Sequence, residues 1–134
     1  MPELTHITAP RGVAPGNGYS HVVWGEGRFV AVSGQLALDE NGDVVGRGDP
    51  AAQARQVFAN LRRCLTEAGA SFDDVLKLTF YTTDIGILPA VRAARDACVD
   101  VTRPPASTAV EVSSLAHPEL VLEVEAFALV PAGG

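Results

Sequence analysis

Apolar positions change their period along this chain, and the changes mark out its elements. From Tyr19 to Leu38 apolar residues alternate with others on either side of Gly25–Glu26–Gly27, which predicts two strands around a turn. Asn41–Gly42, inside DENGD, signals a further turn. The period then lengthens. Asp49 suits a helix N-cap and Pro50 the first helical position. Ala54, Val57, Phe58, Leu61, Cys64, Leu65 and Ala68 follow at three- and four-residue spacing, and Gly69 stands where a left-handed residue ends a helix. Residues 75–83 (VLKLTFYTT) alternate again as a strand. A second helix is predicted to begin near Leu88–Pro89 and to bury Leu88, Val91, Ala94, Cys98 and Val101. Two strands, around 106–113 and 119–130, close the chain. The Pro- and Gly-rich stretch 9–18 reads as a loop, and the tail PAGG as a frayed end. With no repeat, low-complexity run or linker, residues 1–134 are expected to form a single domain. Strands, helix, strand, helix, strands in that order predict an α+β fold with two helices packed on one face of a mixed sheet.

The strands also carry information on the face away from the helices. In the last one, Leu120, Leu122, Val124, Ala126 and Ala128 form an apolar row that fits under helices, while Val121, Glu123, Glu125, Phe127 and Leu129 share the opposite face. Strand 28–36 sets Val30, Val32 and Leu36 against Phe29, Ala31, Ser33 and Gln35; strand 106–113 sets Thr108, Val110 and Val112 against Ser107, Ala109, Glu111 and Ser113. A face open to water would be more polar than these. One layer of two helices cannot cover both sides of a sheet, so the second face is expected to pack against another copy of the chain.

Composition narrows the function classes. The chain has 134 residues, 47% hydrophobic and 19% charged, as a folded protein does. Ten basic and 16 acidic residues give a net charge of −6, and Lys77 is the only lysine. A nucleic-acid or anionic-membrane surface needs clustered cations, so neither partner is expected. No apolar stretch is long enough to span a bilayer, and MPELTHITAPRG lacks a signal-peptide pattern, so the expected location is cytoplasmic. Cys64 and Cys98 lie on helix-like segments and read as reduced thiols.

Few residues suggest chemistry directly. Glu123 and Glu125 lie on one strand face about 7 Å apart. They are either a solvated pair or, if half buried, a source of general acid–base catalysis. Ser33–Gly34–Gln35 interrupts an apolar strand, which marks either a bulge or a close approach by a ligand or a second chain. His6, His21 and His117 make no metal-ligand spacing, and Cys64 and Cys98 fall on helix stripes, so no metal is expected. Phosphate-loop, dinucleotide and serine-elbow fingerprints are absent.

Taken together, several stretches resemble the RidA or YjgF family of reactive-intermediate deaminases, long labelled endoribonucleases of the L-PSP type. They are Gly18–Tyr19–Ser20; Val32–Ser33–Gly34–Gln35; Ala52–Gln53–Ala54–Arg55–Gln56; Glu67–Ala68–Gly69–Ala70; Asp74–Val75–Leu76–Lys77–Leu78–Thr79; Thr83–Asp84; Pro105–Ala106; and Leu122–Glu123–Val124–Glu125–Ala126. The resemblance covers nearly the whole chain. It implies a chorismate-mutase-like fold, a homotrimer, and small-molecule clefts between adjacent subunits. It also implies hydrolysis of enamines and imines, such as 2-aminoacrylate, to keto acids and ammonia without cofactor or metal. By the same resemblance Glu123 is the catalytic residue that positions water, while Tyr19, Ser33 and Gly34 line the cleft.

One position departs from the pattern. Where the family has Pro-Ala-Arg, with an arginine that binds the substrate carboxylate, this chain reads Pro105–Ala106–Ser107, followed by Thr108. A guanidinium grips a carboxylate through two charge-assisted hydrogen bonds, and a serine offers one neutral hydroxyl. Losing such an anchor costs on the order of 2–5 kcal/mol of binding. Either Arg92 or Arg103 substitutes for the charge, or the ligand lacks a carboxylate and is held by Tyr19, Ser107 and Thr108. Two readings follow: an imine or enamine hydrolase with a non-standard substrate, and a non-catalytic trimer that binds a metabolite or a partner protein. Ribonuclease activity, suggested only by the old label, is opposed by the acidic balance.

Overall fold

The computed structural model describes residues 4–132; Met1–Glu3 and Gly133–Gly134, the end of the PAGG tail, lie outside the described residues. The elements are β1 (Thr5–Ile7), β2 (Val22–Trp24), β3 (Arg28–Gln35), α1 (Pro50–Glu67), β4 (Val75–Thr82), α2 (Leu88–Asp96), β5 (Ala106–Glu111) and β6 (Leu122–Val130). Single 3-10 turns at Phe72–Asp74 and Ile85–Ile87 lead into β4 and α2.

The main sheet has the order β3-β6-β4-β5. β6 runs antiparallel to both β3 and β4, whereas β4 and β5 are parallel. β3 and β4 therefore run the same way, as do β4 and β5, and each pair is joined through a helix. Crossovers between parallel strands are right-handed, which puts α1 and α2 on the same face of the sheet. That face is the core: Leu122, Val124, Ala126, Ala128 and Val130 of β6 are buried, with Val57, Phe58, Leu61 and Leu65 of α1 above them. The α+β expectation holds, with its two helices on one side of a mixed sheet.

The ends of α1 follow the expected chemistry. The Asp49 carboxylate accepts from Ala52 N–H at 3.1 Å, Pro50 occupies the first turn, and Gly69 follows the C-cap with φ of +72°. Inside the helix, Gln53 is buried on the core side, where a polar side chain needs partners. Its amide donates to Gly46 O at 3.1 Å and to Glu119 O at 2.9 Å, and its carbonyl accepts from Val121 N–H at 2.9 Å. Thr82 joins from the other side, its hydroxyl donating to Val121 O at 2.8 Å. Gln53 and Thr82 thereby hold Val121, just ahead of β6 and two residues before Glu123.

Tertiary packing corrects the sequence reading at several points. β1 was not expected; it is too short to show a period, and its pairing with β2 rather than local propensity creates it. The register of β3 against β6 shifts between Val32 and Gln35, so one extra residue bulges out. Beyond the bulge every side chain changes face, and Gln35 pairs with Val124, a core position, instead of sharing a face with Ser33. α2 stops at Asp96, five residues short of Val101, which is exposed; the buried stripe continues instead through Arg95. β5 and β6 are shorter than expected, and Leu120 is buried ahead of its strand.

Replacing Gln53 by Leu removes three hydrogen bonds and leaves Val121 N–H without its partner. Urea denaturation is expected to show a loss on the order of 2–3 kcal/mol, against well under 1 kcal/mol for a change at the exposed Glu67.

Candidate functional site

The structure brings the expected residues together in two groups that lie apart. The first surrounds the β3 bulge. Gly34 is there for space, not for a left-handed backbone: a Cβ at this position would collide with the Glu123 carboxylate. The bulge and the close approach are thus one feature, and what approaches is a side chain of the chain itself. Glu123 projects from the sheet face away from the helices and is half-buried. It has no hydrogen-bond or ion-pair partner among the described residues. Ser33, beside it in the bulge, is exposed.

Glu125 is on the same face but is already engaged. The Tyr81 hydroxyl donates to its Oε1 at 2.6 Å. That hydrogen bond, together with partial burial and the negative charges of Glu125 and Glu123, holds the Tyr81 phenol above its ordinary value of 10.0. The phenol therefore stays protonated and keeps donating throughout the neutral range. Of the two carboxylates, Glu123 is the one left available. Beyond them the face turns apolar: Phe29 and Phe127 meet with ring centroids 5.5 Å apart, and Phe29 is 59% exposed.

The second group lies at the far edge, on β5. Ser107 is paired with Leu78, a core position, and so faces the helix side. Thr108 is paired with Thr79 and faces the other way, so the two hydroxyls do not converge. Ser107 and Ala109 share a small pocket of about 70 Å³ with Arg92 and Arg95 of α2. The loop before β2 runs beside its two arginines and the start of β5. Ser20 makes a parallel bridge to Ala106 and donates from N–H to Pro105 O at 3.1 Å and from its hydroxyl to Pro104 O at 2.6 Å. Gly18 lies against both guanidiniums. Tyr19, between them, is half-buried with its ring 5.2 Å from that of His21.

The two arginines considered as charge substitutes separate cleanly. Arg92 is exposed, lines the Ser107 pocket and has no hydrogen-bond or ion-pair partner among the described residues. Arg103 donates to Leu4 O at 2.6 Å and lines a different depression with His6, Asp73 and Asp100. Sequence reasoning missed Arg95 and Tyr81. Arg95 could have been noticed as a charge four residues after Val91 on an apolar stripe. Tyr81 could not, because its partner is fixed only by the register of β4 on β6.

Glu123 and Ser107 are two strands apart, about 10 Å across the sheet, three residues out of step and on opposite faces. Within one copy they cannot act on the same small molecule. Among the described residues no group of three or more His, Cys, Asp or Glu is placed to hold a metal ion, and no helix is long and apolar enough to cross a membrane.

Residues 9–130 match the model of the endoribonuclease L-PSP family. The chain belongs to that family. A RutC family protein of Pyrococcus abyssi is 36% identical over 121 residues, which is 90% of either chain. The 3-aminoacrylate deaminase RutC of Acinetobacter baylyi is 38% identical over 100 residues, 66% of this chain and 79% of its own. Among solved structures, YyfB of Yersinia pestis, from the conserved Rid protein family, superposes with a TM-score of 0.83 at 34% identity, covering 96% of this chain and 99% of its own. The family match thus takes in every element from β2 to β6.

Titration tests the Tyr81–Glu125 contact. The folded chain holds the Tyr81 proton more tightly than an unfolded one, so the bond's stabilisation is present below pH 10.0 and is lost as the pH rises through the raised value. Phenolate absorbance should show one of the two tyrosines ionising above 10.0, and Glu125→Ala should bring that step down toward 10.0. Native ionisation of both tyrosines at or below 10.0 contradicts the assignment.

Proposed function

We propose that the chain is a cofactor-independent hydrolase of small imines or enamines, with its ligand cleft between subunits of a homotrimer. The observation that carries this reading is the division of the site: Glu123 and Ser33–Gly34 lie on one side of the sheet, and Tyr19, Ser107 and Arg92 at its opposite edge. The β5 edge of one copy, meeting the open sheet face of the next, completes a cleft that neither has alone. The exposed Phe29, Phe127 and Val110 supply the apolar surface for that contact. The deaminase named among the relatives supports the reaction class.

In this reaction Glu123 accepts a proton from water as its oxygen attacks the C=N carbon. The C=N electrons take up a proton to form a carbinolamine. The C–N bond then breaks as nitrogen is protonated and the carbinolamine hydroxyl gives up its proton, releasing ammonia and the carbonyl product. An enamine first takes a proton on carbon to become the imine. A half-buried carboxylate with no competing partner suits this exchange. Gly34 suits it too, since any side chain there would push the carboxylate away.

Substrate choice is set by Ser107. Without a guanidinium on β5, the cleft takes a ligand whose anionic group reaches Arg92, or a neutral one held by the Tyr19 and Ser107 hydroxyls. Thr108 faces the side of β5 that meets the neighbouring copy and serves the ligand there. In a second reading the trimer binds a metabolite or a partner protein without turning anything over, and Ser107 in place of arginine is what favours it. RNA is not a substrate in either reading, because a chain with net charge −6 repels it.

The test is keto-acid release from freshly generated 2-aminoacrylate and 2-aminocrotonate, together with neutral imines. Glu123→Gln is expected to lower turnover by at least about a hundredfold with folding intact. Ser107→Arg should raise activity on the carboxylated substrates by about tenfold or more. Unchanged turnover in Glu123→Gln removes the mechanism; silence of the native chain and of Ser107→Arg on every substrate moves the conclusion to the binding trimer.

A further inference from the structure

Four polar or charged side chains are buried among the described residues: Ser20, Gln53, Thr82 and Arg95. A polar group is buried at a cost unless its hydrogen bonds are remade, so what each one bonds to shows what it holds in place. Gln53 and Thr82 hold the entry of β6. Ser20 and Arg95 both hold the loop that bears Tyr19.

Arg95 is 7% exposed, the only charged residue in that set. Its Nε and Nη2 donate to Asp96 Oδ1 at 3.0 and 2.7 Å, and its Nη1 donates to Gly18 O at 2.6 Å. The guanidinium is planar, so fixing one edge on Asp96 fixes the direction of the other. It thereby clamps the carbonyl immediately before Tyr19. Immediately after Tyr19, Ser20 is held by Pro104 and Pro105. Two further bonds close the loop behind it, Gly16 N–H to Thr8 O at 2.8 Å and His21 N–H to Ile7 O at 2.9 Å. Tyr19 is the one side chain between the clamps, and the two residues that frame it are tied to different elements, α2 and the lead-in to β5.

We infer that Arg95 is a positioning residue that holds the Tyr19-bearing loop beside the Ser107 pocket and so governs ligand affinity. This rests on reading that pocket as half of the ligand site. Arg95 does not itself offer a free charge to a ligand, since three of its donors are spent within the chain. Arg92, three residues earlier on the helix, is the cation of this pocket that has no partner among the described residues. The two arginines of the pocket divide the work: Arg92 meets the ligand and Arg95 holds the loop beside it.

Arg95→Met keeps the length and apolar stem of the side chain and removes its donors. NMR reads the loop without any ligand, because the chain has only two tyrosines and Tyr81, at a distance on β4, is an internal control. Arg95→Met is expected to shift the Tyr19 ring signals, to speed hydrogen exchange at the Ser20 amide, and to leave Tyr81 unchanged. Arg95→Lys, which keeps one donor for Gly18 O, should recover part of both. With any substrate the native chain turns over, KM should rise about tenfold in Arg95→Met while kcat stays within about twofold. Should Arg95→Met fail to fold, Asp96→Asn loosens the same clamp from an exposed position and should shift the same Tyr19 signals by less. Tyr19 signals and Ser20 exchange that match the native chain in a folded variant overturn the proposal. A shift of Tyr19 in a chain that turns over no imine leaves the positioning role standing and sinks the hydrolase reading; turnover with KM unmoved and Tyr19 unshifted does the reverse.

Discussion

The structure depends on how β6 is seated. It is the one strand with antiparallel neighbours on both sides, and its even-numbered residues supply the floor of the core. A central strand slipped by one residue would turn Leu122 and Val124 out and bring Glu123 and Glu125 in, at a cost far larger than a domain's net stability allows. Hydrophobic pattern alone sets that register to within two residues. The buried amide of Gln53 and the hydroxyl of Thr82 narrow it to one by capturing the backbone of Glu119 and Val121. Glu123 then comes to rest against Gly34 as a consequence of where the strand starts.

Much of this was legible in the sequence because much of it is periodic. The stripe of α1, its Asp49 cap and its Gly69 stop are local features, and they appear where expected. The alternating burial of β6 was readable for the same reason, and so was the unusual character of its second face. What could not be read depended on register or on partners distant in sequence. The bulge at Ser33–Gly34 moves Gln35 to the core face, and no alternation count reveals a single inserted residue. Arg95 looks like any helix surface arginine until Gly18, 77 residues earlier, is brought beside it. Ser107 and Thr108 are neighbours in sequence but point to opposite faces, so of these two hydroxyls only Ser107 faces the pocket beside Arg92.

Family membership and the site's chemistry pull in different directions at one residue. The Glu123–Gly34 contact presents a carboxylate on the sheet face away from the helices. Ser107 removes a charge from the place where the resemblance to the RidA or YjgF proteins implies one. A cation nevertheless remains in that pocket: Arg92 has no partner among the described residues, while Arg103 is committed elsewhere. Under the proposed function, that one residue on β5 would shift the source of positive charge for the ligand from a strand to a helix. A ligand held from α2 would sit differently from one held from β5, which is a physical reason for a changed substrate.

The central claim is that one copy holds only half of a site, and the mass of the protein in solution tests it most directly. Sedimentation equilibrium at micromolar concentration is predicted to give about three times the 14.0 kDa chain mass, with Phe127→Asp on the open face shifting it toward a single chain. A native protein that sediments as one 14.0 kDa chain at those concentrations would leave Glu123 and Ser107 permanently apart and contradict the account.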